Sequence, residues 1–257
     1  MTKIKTALLI IDAQWDFCNP SGSLFVNGAV EDCKNLASFI SEKDPDEIFL
    51  TMDSHFVFHI AHSAFWVDDR GNHPAPYTQI SSKDVKNGKF IPVGEGFSPE
   101  DGIAYLDALE EKGRYVLTIW PNHCIVGTKG HNLDETIHNG VMNWAHLHRK
   151  NPHYVMKGSY PFSEHYSILS AEVQQESIPE TCVNKALLER LASAERIFVA
   201  GEALSHCVLF SLLDIAKYIS PSKMTLLRNC SSPIAGFETA TENKLHELEK
   251  QGLEILL

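Results

Sequence analysis

The residue with the clearest chemical potential is Cys207, which closes the segment Val199–Val208. In this segment an apolar strand leads through small residues into a predicted helix. A thiol at the start of a helix faces unpaired backbone N–H groups and the positive end of the helix dipole, and both favour the thiolate. The placement therefore predicts a nucleophilic cysteine. From this segment alone, the alternative is a small buried hydrophobic residue, which is the common fate of a free cysteine.

Three charged residues follow other apolar segments of the chain. They are Asp12 after 7–11, Asp53 after 48–51 and Lys157 after 154–156. Unbroken apolar segments are typical of parallel strands covered on both faces, and functional groups in such sheets gather at the carboxyl ends of the strands. Each residue alone has a simpler explanation, as a helix cap for the aspartates or as a solvated lysine. Together with Cys207 they predict one site that combines a carboxylate, an ammonium and a thiol.

The order of the predicted elements favours a doubly wound sheet. Strands and helices alternate along the chain, which is typical of parallel strands joined by right-handed crossovers. The pattern predicts a single three-layer, Rossmann-like α/β domain over residues 1–257, with a mostly parallel sheet and helices on both faces. The predicted helices span about 28–42, 99–112, 132–150, 184–193, 206–219 and 237–251, and the later strands about 195–200, 223–228 and 253–257.

The segment from about 63 to 119 departs from this alternation. Pro and Gly residues punctuate it, and its one predicted helix ends at Gly113. Loops of this length in compact domains commonly serve as lids, binding loops or subunit contacts. We therefore expect a lid or insert region here.

Several spaced motifs are shared with one known family. They read Ile11-Asp12-x-Gln14-x-Asp16-Phe17, Asp53-x-His55, Trp120-Pro121-x-His123-Cys124-x-x-Gly127-Thr128 and Met156-Lys157-Gly158. On these residues, and over nearly its whole length, the chain resembles the isochorismatase-like cysteine hydrolases, most closely their nicotinamidase branch. The resemblance implies a catalytic triad of Asp12, Lys157 and Cys207. It also implies that Phe17 and Trp120 bracket the ring of the substrate.

The same resemblance implies a metal site in which Asp53, His55 and His123 hold one divalent ion. Carboxylate and imidazole ligands suit zinc, iron or manganese, and we favour zinc. Other histidines compete for the third ligand position. His59 is the second choice, as an outer ligand or a substrate contact. We prefer His123 because it belongs to the shared motif.

The chemistry of these groups is intelligible from their types. Hydrolysis of a carboxamide needs a nucleophile, a proton for the departing ammonia and stabilisation of the oxyanion. We expect the Lys157 ammonium to lower the pKa of Cys207, while Asp12 takes the thiol proton and returns it to the leaving nitrogen. Water activated by Asp12 or by the metal would then hydrolyse a thioester. By resemblance, the oxyanion donors are the backbone N–H groups of Ala203 and Cys207, presented by a cis peptide bond before Ala203.

Composition limits the class of partner. The 257-residue chain carries a formal net charge of −11, which argues against nucleic acid and anionic membranes because both attract basic patches. Residues 1–5 lead into the first predicted strand without a long apolar segment, so we expect a cytoplasmic location. The six cysteines show no CxxC spacing and are predicted to be free thiols. We expect a small-molecule amide as partner and a homo-oligomeric assembly.

The predicted function is that of a metal-containing cysteine amidohydrolase that converts nicotinamide and water to nicotinate and ammonia, a reaction of NAD salvage. One alternative keeps the triad but acts on a larger amide or a ureido compound, because the 63–119 segment can reshape the pocket. Metal content separates these two, since the carbamoyl-cleaving relatives lack the Asp-x-His pair. A second alternative is a catalytically silent binding protein of the same fold, whose expected signature is the loss of a triad residue.

Overall fold

The computed structural model describes residues 4–113 and 115–257, so residues 1–3 and Arg114 of the predicted domain lie outside the described residues. Its central sheet is formed by β1 (Ile4–Ile11), β2 (Glu47–Asp53), β7 (His153–Lys157), β8 (Ala194–Gly201), β9 (Met224–Leu227) and β10 (Glu254–Leu256). These strands are parallel and lie in the order β10–β9–β8–β1–β2–β7.

The two central strands are built from uninterrupted apolar runs. Ala7–Ile11 of β1 is completely buried, and Ile197–Ala200 of β8 is buried beside it. Neighbouring side chains of a strand point to opposite faces, so the burial of consecutive residues requires that both faces of the sheet are covered. The predicted doubly wound α/β fold is confirmed.

The helices are α1 (Trp15–Cys18), α2 (Ala29–Lys43), α3 (Ser82–Lys86), α4 (Pro99–Glu111), α5 (Glu135–His148), α6 (Lys185–Ala192), α7 (Leu209–Ile215) and α8 (Glu238–Lys250). The buried residues Cys33, Leu36 and Ile40 of α2 recur at helical spacing. Gly140 of α5 lies against Ile40, which lets α2 and α5 approach closely. Within the described part of the chain, each helix is too short or too polar to cross a bilayer.

The helix after β8 starts later than predicted. A π-helical segment covers Leu204–Val208, and α7 begins only at Leu209. The Val208 N–H donates to the Ala203 carbonyl, which widens this turn. Cys207 therefore lies in a π-turn that precedes the α-helix. Such turns occur mostly as single-turn interruptions and are frequent at functional sites.

The segment predicted as a lid or insert is folded. It contains β3 (Trp66–Asp68) paired with β5 (Phe90–Pro92), and β4 (Gln79–Ile80) paired with β6 (Leu117–Thr118), both antiparallel. Phe65, Trp66 and Leu106 are fully buried and join the hydrophobic core. Packed side chains thus hold this segment to the domain, and its action as a lid stays a prediction.

Candidate active site

The strand ends that carry the predicted residues are neighbours in the sheet. Asp12 follows β1 and Asp53 ends β2, while Lys157 ends β7 directly beside Asp53. Cys207 follows β8, which pairs with the other side of β1. The order β8–β1–β2–β7 thus brings all four side chains to one end of the sheet. All four are buried, with at most 5% exposure.

The Lys157 ammonium contacts every other member of this group. Its Nζ lies 2.8 Å from Asp12 Oδ2 and 3.1 Å from Asp53 Oδ1. It also donates to Cys207 Sγ at 3.5 Å and to the His165 carbonyl at 2.9 Å. Lysine is almost never fully buried unless it is paired, and here two carboxylates stabilise its charge. The structure therefore brings the predicted triad of Asp12, Lys157 and Cys207 together.

Burial and charge act in opposite directions on the triad. Burial alone would lower the pKa of Lys157, but Asp12 and Asp53 raise that pKa well above its usual value. Burial raises the pKa of Asp12, and Lys157 partly opposes this rise. Burial also raises the pKa of the Cys207 thiol well above its usual value, although Lys157 acts to lower it. Lys157 thus acts on the thiol in the predicted direction, but burial and the two carboxylates outweigh it in the net shift.

A tight turn delivers Cys207 to the site. Gly201 adopts a φ of 117°, and a Cβ at this position would collide with the Ile11 carbonyl oxygen. Glycine is therefore required where β8 passes β1. The following peptide bond, Glu202–Ala203, is cis, as the family resemblance implies. The roles of the Ala203 and Cys207 N–H groups as oxyanion donors stay predictions.

A second group of side chains shares Asp53 with the triad. The ligand atoms of Asp53, His55 and His123 lie within 4.8 Å of one another, and all three residues are buried. The Nδ1 atoms of His55 and His123 lie 3.1 Å and 2.8 Å from the carbonyl oxygens of Gly158 and Pro121. Because a carbonyl only accepts, each Nδ1 carries a proton, and each Nε2 faces Asp53 Oδ2, at 2.9 Å and 3.5 Å. Two imidazole nitrogens and a carboxylate oxygen that converge in this way could bind a metal ion.

The charge state of Asp53 also fits a cation. Burial alone would raise the pKa of Asp53, but His55 and Lys157 hold it well below its usual range. These contacts favour the ionised form of Asp53. One carboxylate and two imidazoles form a donor set that suits zinc, iron or manganese.

Two further buried histidines lie next to this group. The His59 ring centroid is 4.3 Å from that of His55, and the His62 centroid is 5.4 Å from that of His123. Burial lowers the pKa of His59 well below its usual value and that of His62 to about 2. Both imidazoles are therefore neutral. The structure places His59 against a predicted ligand, and its role as an outer ligand or substrate contact stays a prediction.

Gln14 and Thr51 hold the two aspartates, a function that the sequence analysis missed. Gln14 Nε2 donates to the Asp53 carbonyl at 2.8 Å, and Gln14 Oε1 accepts from the Asp53 N–H at 2.7 Å. Thr51 Oγ1 donates to Asp12 Oδ1 at 2.6 Å. The sequence feature that could have indicated this role is the spacing of Asp12 and Gln14, which lie two residues apart directly after a strand.

Helix α1 contacts the segment that carries His123. Asp16 Oδ2 accepts from the Cys124 N–H at 2.7 Å, and the Phe17 ring lies 5.4 Å from the His123 ring. Trp120 lies in the same segment as His123 and is buried, as is Phe17. The aromatic pair therefore borders the site, and its stacking on a substrate ring stays a prediction.

Gly158 provides a test of the metal group. Its φ is 77°, and a Cβ there would lie 2.7 Å from Asp53 Oδ1 and 2.9 Å from His55 Cε1. If this group binds a metal ion, we expect Gly158→Ala to displace Asp53 and His55 and to weaken the affinity for added zinc at least about tenfold, measured by competition with a chelator. Gly71→Ala is the matched control, because Gly71 has a φ of 82° but open space around it. Equal zinc affinities of the Gly158→Ala variant and the original protein would contradict this prediction.

Comparisons with known proteins agree with the predicted resemblance. No protein-family model matches the chain. A curated nicotinamidase from Saccharomyces cerevisiae is 24% identical over 251 residues, covering 97% of this chain and 98% of the relative. The structure of a nicotinamidase/pyrazinamidase from Acinetobacter baumanii matches with a TM-score of 0.66 and 18% identity, over 100% of this chain and 97% of the other. Pyrazinamidase of Pyrococcus horikoshii in complex with zinc matches with a TM-score of 0.56 and 20% identity, over 98% of each chain. The resemblance to nicotinamidases is thereby confirmed in sequence and in fold.

Proposed function

We propose that this protein is a nicotinamidase, which hydrolyses nicotinamide to nicotinate and ammonia through a thioester on Cys207. The observation that carries the proposal is the contact of Lys157 Nζ with Asp12, Asp53 and Cys207, directly beside the Asp53–His55–His123 group. The similarity of the whole chain to a curated nicotinamidase supports it.

Formation of the thioester follows from the charges of the triad. Burial favours the protonated form of the Cys207 thiol, and Asp12 is the carboxylate that can accept its proton. The thiolate then attacks the amide carbon, and the negative charge moves to the carbonyl oxygen, where the Ala203 and Cys207 N–H groups would stabilise it. Asp12 returns the proton to the nitrogen, the C–N bond breaks and ammonia leaves. Lys157 stays charged throughout and stabilises the anionic forms of Asp12 and Cys207.

Hydrolysis of the thioester reverses these proton movements. Asp12 is ionised again once ammonia has left, and it can take a proton from a water molecule that attacks the thioester carbon. Collapse of the second tetrahedral intermediate breaks the C–S bond and releases nicotinic acid, which loses its remaining proton to solvent and becomes nicotinate. The proton then returns from Asp12 to Cys207, which restores the starting state.

Asp53, His55 and His123 would hold one divalent ion beside this triad. When bound, the ion would supply a Lewis acid that binds and orients the ring nitrogen of the substrate. Zinc is our first choice, because a structurally similar pyrazinamidase was crystallised with zinc, while iron and manganese suit the same donors.

The structure bears on the two alternative functions that the sequence left open. A catalytically silent protein loses support, because all three triad residues are present and in contact. A larger amide or ureido substrate would need a pocket reshaped by the 63–119 segment. The cytoplasmic location, the homo-oligomeric state and a role in NAD salvage stay predictions.

A comparison of amides tests the proposed function. We expect nicotinamide and pyrazinamide to release ammonia, and nicotinamide to be preferred over benzamide by at least about tenfold in kcat/KM, which is about 1.4 kcal/mol. Benzamide has the same shape but lacks the ring nitrogen, so it loses orientation at the metal. Equal turnover of the two amides would leave a cysteine amidohydrolase but refute the nicotinamidase assignment.

Elemental analysis supplies the second half of this test. The purified protein is expected to carry about one transition-metal ion per chain, and His123→Ala is expected to lose it. His138→Ala is the matched control, because His138 is an exposed histidine of α5. A metal-free original protein with full activity would contradict the proposed metal site.

A further inference from the structure

Two buried carboxyl groups meet behind the turn that delivers Cys207. Asp32 lies on α2 and Glu202 follows β8, and they are only 8% and 1% exposed. Their side chains are within hydrogen-bonding distance of each other. Glu202 Oε2 accepts from the Ser232 N–H at 3.3 Å, and the Ser232 side chain lies close to the Asp32 carboxyl. The pair therefore joins α2, the end of β8 and the segment around Ser232.

The two carboxyl groups have one oxygen each that finds no donor. Among the described residues, neither Asp32 Oδ2 nor Glu202 Oε1 has a hydrogen-bond partner, and both atoms are buried. Two carboxylates in contact in a buried site cannot both be ionised, because their repulsion is not screened by water. One proton held between them supplies the missing donor and removes one of the two charges.

We propose that Asp32 and Glu202 share one proton and that this pair positions the Glu202–Ala203 turn, and through it Cys207. The turn is fixed on its other side by the Glu202 N–H, which donates to the Ile11 carbonyl at 2.8 Å. Asp32 and Glu202 are positioning residues, since they act on the thiol through the backbone between Glu202 and Cys207.

The charged groups around Asp32 and Glu202 do not compensate a second negative charge in the pair. Arg228 is a cation that faces Asp32, but its Nη2 already lies 3.1 Å from Glu242. The other titratable groups that face the pair are three thiols and one further carboxyl group, none of which is a cation: Cys18, Cys33, Cys230 and Glu31. A second negative charge in the pair would therefore be left without compensation.

The proposal predicts how stability changes with pH. Burial raises the pKa of Asp32, and burial together with Asp32 raises the pKa of Glu202 well above its usual value. The folded protein thus keeps a proton at pH values where the unfolded chain has lost it. The stabilising contribution of the pair is complete at pH values below the pKa that these carboxyl groups have in the unfolded chain. It is lost as the pH rises through the raised pKa of the folded protein.

The decisive variant is Glu202→Gln, which has nearly the same shape and donates an N–H to Asp32 at every pH. We expect the urea midpoint of the original protein to fall, relative to that of Glu202→Gln, as the pH is raised from about 6 to 9. Asp32→Asn should flatten the profile in the same way, because its amide donates to Glu202. Glu42→Gln is the matched control, since Glu42 is an exposed glutamate near the other end of α2, and it should follow the original protein. Parallel profiles of all four proteins would overturn the proposal.

The positioning role has a separate readout. Alkylation of Cys207 by iodoacetamide and kcat are expected to stay within about twofold in Glu202→Gln, whereas Glu202→Leu should lower kcat at least about tenfold with little change in KM. Turnover by Glu202→Leu equal to that of the original protein would refute positioning, as would a loss in Glu202→Gln as large as in Glu202→Leu. The activity arm rests on the proposed function, but the urea and alkylation profiles do not. If no amide is turned over, the proposed function fails while these two profiles still decide the present inference.

Discussion

Replacing Cys207 with alanine is expected to lower kcat for nicotinamide by at least about 10⁴-fold, because the thioester can no longer form. The fold should persist, since alanine fits the space of the buried thiol without adding a polar group. Ammonia release measures the loss, and circular dichroism with thermal unfolding verifies the fold. Cys207→Ser should be similarly inactive, because a hydroxyl next to Asp12 is a far weaker acid than a thiol.

The other buried cysteines serve as controls for this prediction. Cys33→Ala on α2 removes a thiol away from the triad and should keep its turnover. Burial raises the pKa of both Cys207 and Cys230. Iodoacetamide should nevertheless label Cys207 first, because Asp12 can take its proton and Lys157 stabilises the thiolate that forms. Equal labelling of the cysteines, together with ammonia release by Cys207→Ala, would exclude Cys207 as the nucleophile.

Lys157→Met is expected to have the second largest effect, because it acts on stability and activity together. Asp12 and Asp53 lose an ammonium that lies 2.8 Å and 3.1 Å away, and the loss of one partner of a buried ion pair costs about 3–5 kcal/mol. The free energy of unfolding in urea measures this cost. Removal of the positive charge also raises the pKa of Cys207 further, so alkylation should require a higher pH than in the original protein.

Two further variants serve as controls for the Lys157→Met prediction. Lys34→Met breaks an ion pair whose lysine side chain is 61% exposed, and pairs of this kind contribute at most about 1 kcal/mol. Adding Asp12→Asn to Lys157→Met removes one unpaired charge, so it should recover part of the stability and none of the activity. An alkylation profile of Cys207 that does not change in Lys157→Met would contradict the proposed contact between ammonium and thiol.

The fold and the positions of the reactive groups were accessible from sequence because both depend on local patterns. The unbroken apolar run of Ala7–Ile11 predicts a covered parallel strand, and the charged residue after it then lies at the carboxyl end of the sheet. The same reasoning places Asp53 and Lys157, which the structure brings into contact. The cis peptide bond before Ala203 came from the family resemblance, since no local pattern indicates it.

The remaining features depend on contacts between distant residues. The clamp of Gln14 on Asp53 and the pairing of Asp32 with Glu202 need a known register and known side-chain directions. The net direction of the Cys207 pKa shift depends on such contacts as well. The local sequence shows a helix start, but burial and the carboxylates of other strands decide the outcome.

The strand order also determines how the site is assembled as the chain is synthesised. The chain leaves the ribosome with its N-terminus first, so β1 and β2, which end at or next to Asp12 and Asp53, are the first neighbouring strands of the sheet to be made. The ammonium that balances these carboxylates follows 104 residues after Asp53, and the thiol another 50 residues later. Cys207, the proposed nucleophile, is thus the last of these groups to be made, and it follows β8, the strand that pairs with the other side of β1. A nascent chain therefore carries Asp12, the proposed proton carrier, and the Lys157 ammonium before it carries the thiol that would attack the substrate.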